Sequence, residues 1–334
     1  MVNILYRSES EILNGIDINT INFENLIKLV SSHLMLPALY FNINKKNCSY
    51  LFPDDFIAYI RNIFAINKAR NEILLSEAKE LSELLFENNI KHIFLKGTAL
   101  LLSNVFEDIG ERMIGDIDFI IQHKDEEKVE KVLKYNNNCT PQKLSLLRFF
   151  KPTHLQRKVP ENKTIAIEAH LELLEPRHRW IFNSKVLRNN FNEELKTIKT
   201  PSTSFLFDHC IYALQLRDKG FFIPYHGHRS IYDIYKLDCK NSLTINNIKK
   251  DIFKKHFFVT IAIFKIFDKH IKASLWSYYF DKLCIVVYSY INMKYLQILK
   301  LFVSKKNREY IVNKIRIHYH HKTLLNYIYK WLKT

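Results

Sequence analysis

Asp116 and Asp118 stand one residue apart inside an otherwise apolar run, Gly-Asp-Ile-Asp-Phe-Ile-Ile. Residues i and i+2 of an extended chain project to the same side. The two carboxylates therefore share one face, and Ile117 and Phe119 share the other. Left unpaired in apolar surroundings, such carboxylates repel each other and lose their hydration at a cost of several kcal/mol. Something positive must lie between them. Mg²⁺ suits the role because it takes carboxylate oxygens together with substrate phosphates; Mn²⁺ is the alternative. An isolated Asp-x-Asp more often has a plainer explanation, with one aspartate capping a turn and the other pairing with Arg or Lys.

The flanking residues shift the balance toward a ligand. The stretch "LKGT" ends a β-like run and opens a helical one. Backbone N–H groups at a helix start can cradle a phosphate, and Gly97 lets it approach closely. Thr98 is available as the helix N-cap. Lys96 either adds positive charge to the cradle or is an ordinary surface lysine. Arg112, just before the aspartates, is a triphosphate contact or the partner of Glu111 or Asp108. Gly115 lets the chain pass close to a ligand. Further on, "IAIEAHLEL" puts Glu168, His170 and Glu172 on one face of a strand. If that strand lies beside "DIDFII", Glu168 completes a carboxylate triad. Three acids can hold two metals for phosphoryl or nucleotidyl transfer, with Glu168 a ligand or a base toward an acceptor hydroxyl.

The elements that must position these groups follow from periodicity. Residues 22 to 88 read as helical, with Leu74, Ala78, Leu81 and Leu85 forming a buried stripe. Pro53 and two aspartates mark the start of a long helix, or of two joined ones. From "KHIFLKG" the order reads β-α-β-α-β-β, with "PTHLQRKV" and "KTIAIEAHLEL" as the last two strands. After Thr200 the helical pattern returns. The expected fold is α+β: a small mixed sheet at 89–200, between an N-terminal helical region (1–88) and a C-terminal one (201–334).

Lys-Gly-Thr, then Arg112, then Gly-Asp-Ile-Asp, then a distal strand acid resembles the DNA polymerase β-like nucleotidyltransferase superfamily. Within it, the chain is most similar to poorly characterised bacterial nucleotidyltransferases with a helical N-terminal segment. The resemblance covers roughly residues 85–175 and reaches weakly to "RSIYDIYKL", with Arg229 and Asp233. It implies Mg²⁺, a nucleoside triphosphate, and nucleotidyl transfer with release of pyrophosphate. On this resemblance Asp116 and Asp118 match the metal-binding pair, and Glu168 matches the third carboxylate. Gly97 and Thr98 match the glycine-serine signature, which with Lys96 would hold the β- and γ-phosphates. Thr98 keeps the hydroxyl of the usual serine; Glu168 replaces an aspartate common in the superfamily.

Composition bounds the alternatives. Hydrophobic residues make up 47% of the 334, enough for a substantial core. The apolar C-terminal segments are too short and too broken by charge to cross a membrane, and the N-terminus lacks a signal-peptide pattern. The five cysteines are scattered without a CxxC, which points to neither a disulfide framework nor a zinc site. A reducing cytoplasm is the expected location. A formal charge of +16 favours polyanions, so RNA, tRNA in particular, is the expected acceptor, in a toxin or defence role. A protein side chain or a small metabolite is the alternative acceptor. The rival classes are a non-catalytic nucleotide- or RNA-binding module and a partner protein whose basic tail docks an acidic protein. His318, His320 and His321 read as part of a basic helical tail rather than a metal site. His226, His228 and Arg229 are equally a structural loop or a site wall. Asp208 and His209 read as a satisfied buried pair.

Overall fold

The computed structural model describes residues 2–6, 20–133, 153–159, 163–175, 178–179, 181–187, 198–218, 227–241 and 252–263, with a few positions between 274 and 285. His226, the histidines at 318–321 and the basic C-terminal stretch lie outside the described residues. Three helices, α1 (Val2–Tyr6), α2 (Phe23–Ser32) and α3 (Leu36–Lys45), lead into a long one, α4 (Asp54–Glu87). Pro53 precedes α4, and Asp54 and Asp55 occupy its first turn, where carboxylates complement the helix dipole. The helix is a single piece, and Leu74, Ala78, Leu81 and Leu85 are all buried in the core.

A second face of α4 is polar and faces inward. Asn67 and Asn71 are almost fully buried, so their amides must find partners. Asn67 Nδ2 donates to the Gly110 carbonyl (2.7 Å). Asn71 Nδ2 donates to those of Ile109 (2.6 Å) and Arg112 (2.8 Å). Arg70 donates to the carbonyls of Ile114 and Gly115. Little more than one turn of one helix thus holds the loop that leads to Asp116. Two turns further on, the Glu77 carboxylate accepts from the Thr164 N–H and hydroxyl (3.0 Å each) and from the Ile165 N–H (3.2 Å). The entry points of both acid-bearing strands are therefore set by α4.

Those strands belong to a three-stranded mixed sheet. In chain order the elements are β1 (His92–Phe94), α5 (Lys96–Leu102), β2 (Asp116–Ile121), α6 (Glu126–Val132) and β3 (Ala166–His170). The central strand β2 pairs antiparallel with β1 and parallel with β3. The expected strand "PTHLQRKV" forms only two isolated bridges along β3, His154 to His170 and Lys158 to Ile167. Leu155 N–H reaches the Ala169 carbonyl, and Lys158 and Ile167 exchange hydrogen bonds. Gln156 and Arg157 are thus two residues facing one, Glu168. Such a bulge breaks the ladder and re-aims a side chain, which is why no continuous strand forms here.

The C-terminal helices are α7 (Thr203–Tyr212), α8 (His228–Asn241) and α9 (Ile252–Ile263). Ser202 caps α7 by accepting from the Phe205 N–H, and α7 continues into a π-helical turn, Ala213–Arg217. Tyr232 of α8 is fully buried; it donates to Glu111 Oε2 (2.7 Å) and accepts from Asn42 Nδ2 (2.8 Å). One apolar core runs through Leu74 of α4, Phe119 of β2 and Ile231 of α8. The chain is an α+β protein, mostly helical, as expected. No single helix among the described residues is long and apolar enough to cross a membrane.

Glu77→Ala removes the acceptor for three donors at the start of β3. Urea unfolding should show a loss of about 2–3 kcal/mol, with Glu77→Gln losing less. A Glu77→Ala protein within about 0.5 kcal/mol of wild type would mean that α4 does not hold that strand.

Candidate active site

The parallel register of β2 and β3 sets Asp118 directly opposite Glu168. Asp118 is buried and the Glu168 side chain is 13% exposed. Two cationic or proton-bearing groups fill the gap. Lys96 Nζ lies 2.7 Å from Asp118 Oδ1 and 3.0 Å from Glu168 Oε2. His170 Nε2 lies 2.9 and 3.0 Å from the same two oxygens. His154 Nδ1 approaches the other Glu168 oxygen at 3.2 Å. Asp118, Glu168 and His170 each offer a ligand atom, all within 4.8 Å of one another. Asp116 is one pleat further along the same face and pairs with Arg157 Nε at 3.0 Å.

The electrostatics follow from these partners. Burial pushes the Glu168 carboxyl up, but the hydrogen bond from His170 and the Lys96 ammonium outweigh it and hold the group well below the usual carboxylate range. Asp116 moves the other way: burial, then the Asp118 charge, raise it against the pull of Arg157 and Lys96. Three compensated carboxylates are oxygen donors of the type that Mg²⁺ or Mn²⁺ takes.

Several expected roles change. Thr98 is not an N-cap. Lys96 adopts a left-handed backbone (φ 49°), an uncommon conformation for a side-chain-bearing residue, and the helix begins there, directly after β1 and Leu95. Thr98 therefore falls inside the first turn and is fully buried. Its hydroxyl donates to the Asp116 carbonyl (3.3 Å) and accepts from the Asp118 N–H (3.4 Å), locking α5 to β2. Lys96 is neither a surface lysine nor part of a separate cradle; it sits between the carboxylates. Gly97 is closely packed, since a Cβ there would meet the Ile114 side chain at 3.0 Å, whereas one at Gly115 would meet only Arg157, at 3.8 Å.

Arg112 pairs with neither Glu111 nor Asp108. Those acids are used in a capping box, in which Asp108 accepts from the Gly110 N–H and Glu111 from the backbone of 107 and 108. Arg112 instead makes a two-pronged bond to Asp233 of α8, at 2.7 and 2.8 Å. Asp208 and His209 are not a pair either. Asp208 binds Lys254 at 2.6 Å. His209 is buried with its Nε2 unpartnered, on the wall of a pocket.

That pocket has a volume of about 400 Å³. Lys96, Gly97, Arg112, Asp116 and Asp118 line it on the side of the sheet. Arg157, His209, Arg217, Arg229 and Asp233 line it elsewhere. Sequence reasoning missed the roles of His154, Arg157 and Arg217 and left His170 without one. For His170 a signal existed: the same-face rule that groups the aspartates also groups it with Glu168.

Buried carboxylates beside arginines form a pocket whose chemistry suits phosphorylated ligands. The family described as uncharacterised nucleotidyltransferase matches residues 19–247, which include all of these strands and α8. The chain belongs to that family; it is a nucleotidyltransferase, and its substrate is a nucleoside triphosphate. No curated protein and no solved structure matches it.

Burial, and then the charges of Arg217, Lys96 and His170, push the His209 imidazole down to about 3. An unfolded chain protonates this residue near pH 6.5. Between these values the unfolded state binds the extra proton, so stability falls as pH drops through the window, by up to about 1.4 kcal/mol per unit. Stability measured from pH 7 to 4 should fall less steeply in His209→Gln than in wild type. Parallel curves would show that the imidazole is not held neutral.

Proposed function

We propose that the protein transfers a nucleotidyl group from an NTP to an acceptor hydroxyl at Asp116, Asp118 and Glu168. The observation that carries this reading is the β2–β3 register, which joins a distal acid to the Asp-x-Asp pair at the edge of the pocket. Those three carboxylates are the residues that would hold Mg²⁺, with Mn²⁺ as the alternative. When bound, the metal supplies charge neutralisation at the transferring phosphoryl group and the leaving pyrophosphate.

The acceptor oxygen forms a bond to the α-phosphorus while the bond to the bridging oxygen breaks, and pyrophosphate leaves. The acceptor's proton goes to a base, for which Glu168, kept ionised by its partners, is the candidate where it does not serve as a ligand. Lys96 and Gly97 line the pocket on the side where the β- and γ-phosphates would lie. Thr98 and Arg112 act from behind: Thr98 ties α5 to β2, and Arg112 ties the preceding loop to α8. The +16 charge supports an anionic acceptor, and RNA, with tRNA foremost, is our choice. Modifying such an acceptor would suit a toxin or defence role.

Each labelled NTP, supplied with Mg²⁺, should label total RNA, while the protein itself and cell metabolites serve as the competing acceptors. Asp118→Asn and Glu168→Gln should each reduce labelling by about 100-fold or more. Equal labelling by wild type and variants would remove the reading; label appearing on protein or metabolites would replace the acceptor. Lys96→Met gives an independent readout. It leaves Asp118 and Glu168 facing each other without the ammonium, so the metal-free protein should melt lower. The rise in melting temperature on adding Mn²⁺ alone should be larger than in wild type. An unchanged Mn²⁺ response would show that the lysine does not compete for the metal position.

A further inference from the structure

Five cationic side chains line the pocket: Lys96, Arg112, Arg157, Arg217 and Arg229. Four have carboxylate partners. Lys96 lies on Asp118 and Glu168, Arg112 on Asp233, Arg157 on Asp116, and Arg217 on Asp218 at 2.8 Å. Arg229, half-buried in the first turn of α8, has no hydrogen bond or ion pair with any described residue.

Helical spacing would ordinarily supply a partner. Asp233 is four residues on, the separation at which opposite charges meet on a helix. Both Asp233 oxygens, however, are taken by Arg112. A second guanidinium is thus left partly desolvated, with Arg112 its strongest charged neighbour and Asp233 and Asp218 acting on it only through space, without an ion-pair contact. Burial, and then the Arg112 charge, push Arg229 down to about 10, still charged at neutral pH. A half-buried charge without a counter-ion is costly, and an anion entering the pocket removes that cost. The guanidinium fork matches phosphate oxygens in shape as well as charge.

We propose that Arg229 is a substrate-binding residue that grips the triphosphate tail of the nucleotide from α8. The assignment rests on the nucleotidyl-transfer reading above and extends it to a residue outside the sheet. Two observations favour the nucleotide's own tail over the phosphates of a nucleic-acid acceptor. The pocket is sized for one small ligand. Arg229 also shares it with Asp116, Asp118 and Gly97, the proposed metal and phosphate positions.

Titration calorimetry with inorganic tripolyphosphate tests this on the full chain without turnover. Arg229→Met should weaken binding about tenfold or more, Arg229→Lys should fall between, and AMP, which lacks the β- and γ-phosphates, should bind all three proteins alike. Tripolyphosphate binding to Arg229→Met that equals wild type overturns the proposal. So does a variant that loses affinity for an RNA oligonucleotide but not for tripolyphosphate. A protein that binds tripolyphosphate through Arg229 yet labels no acceptor leaves the subsite standing and removes the transfer reading instead.

Discussion

Asp118 and Glu168 face each other across a parallel strand pair, in a place from which water is largely excluded. Two ionised carboxylates cannot be held so without compensation, and the local structure is organised around supplying it. Lys96 adopts a left-handed backbone, at a cost of about 1–3 kcal/mol, while its ammonium lies between the two acids. His170 reaches the same oxygens from β3 itself. Thr98 hydrogen-bonds across to β2, fixing the turn that carries Lys96. Arg157, on the bulge opposite Glu168, covers Asp116. Lys96 can bridge both acids, and His170 and Arg157 can reach β2, only because the register of β2 and β3 is what it is.

That register depends in turn on α4, which binds the loop before β2 through Asn67, Arg70 and Asn71 and the start of β3 through Glu77. Helix α4 is therefore more than a packing surface. Its apolar stripe joins the core and its polar stripe meters two strands that are distant in sequence. The C-terminal helices are tied to the same loop from the other side, through Arg112 to Asp233 and through Glu111 to Tyr232. Asp116 thus lies at the end of a segment clamped from both sides, and the pocket is bounded by parts of the chain more than a hundred residues apart.

This construction explains which features were legible in the sequence. The carboxylate pair, the distal acid and the buried stripe of α4 each follow from a local period, two for strands and 3.6 for helices, and local periods survive folding. Arg112 was visible, but its partner is 121 residues away, and nothing local distinguishes Asp233 from Glu111 or Asp108. The role of Thr98 depended on where α5 begins, which the left-handed φ of Lys96 decided. Arg157 depended on one extra residue between two bridges, and "PTHLQRKV" reads as a plain strand because a bulge has no side-chain signature. His209 looked like half of a pair because Asp208 is adjacent in sequence, yet neighbours on a helix point in different directions.

The distribution of charge separates two tasks. Of the five cations that line the pocket, four are held by carboxylates, those of Asp116, Asp118, Glu168, Asp233 and Asp218, and Arg229 is not. The whole chain carries +16, with eight basic residues against one acid in residues 305–334 alone. A net positive charge draws polyanions toward the protein, an effect that weakens with salt. The paired charges at the pocket do something different. The acids there already hold cations, so a metal entering would compete with Lys96 and Arg157, and each cation it displaced would become a free donor for an incoming phosphate. On the proposed reading, the charge that holds the site together is the charge that would bind the substrate, and Arg229, without a carboxylate in contact, would be available from the start.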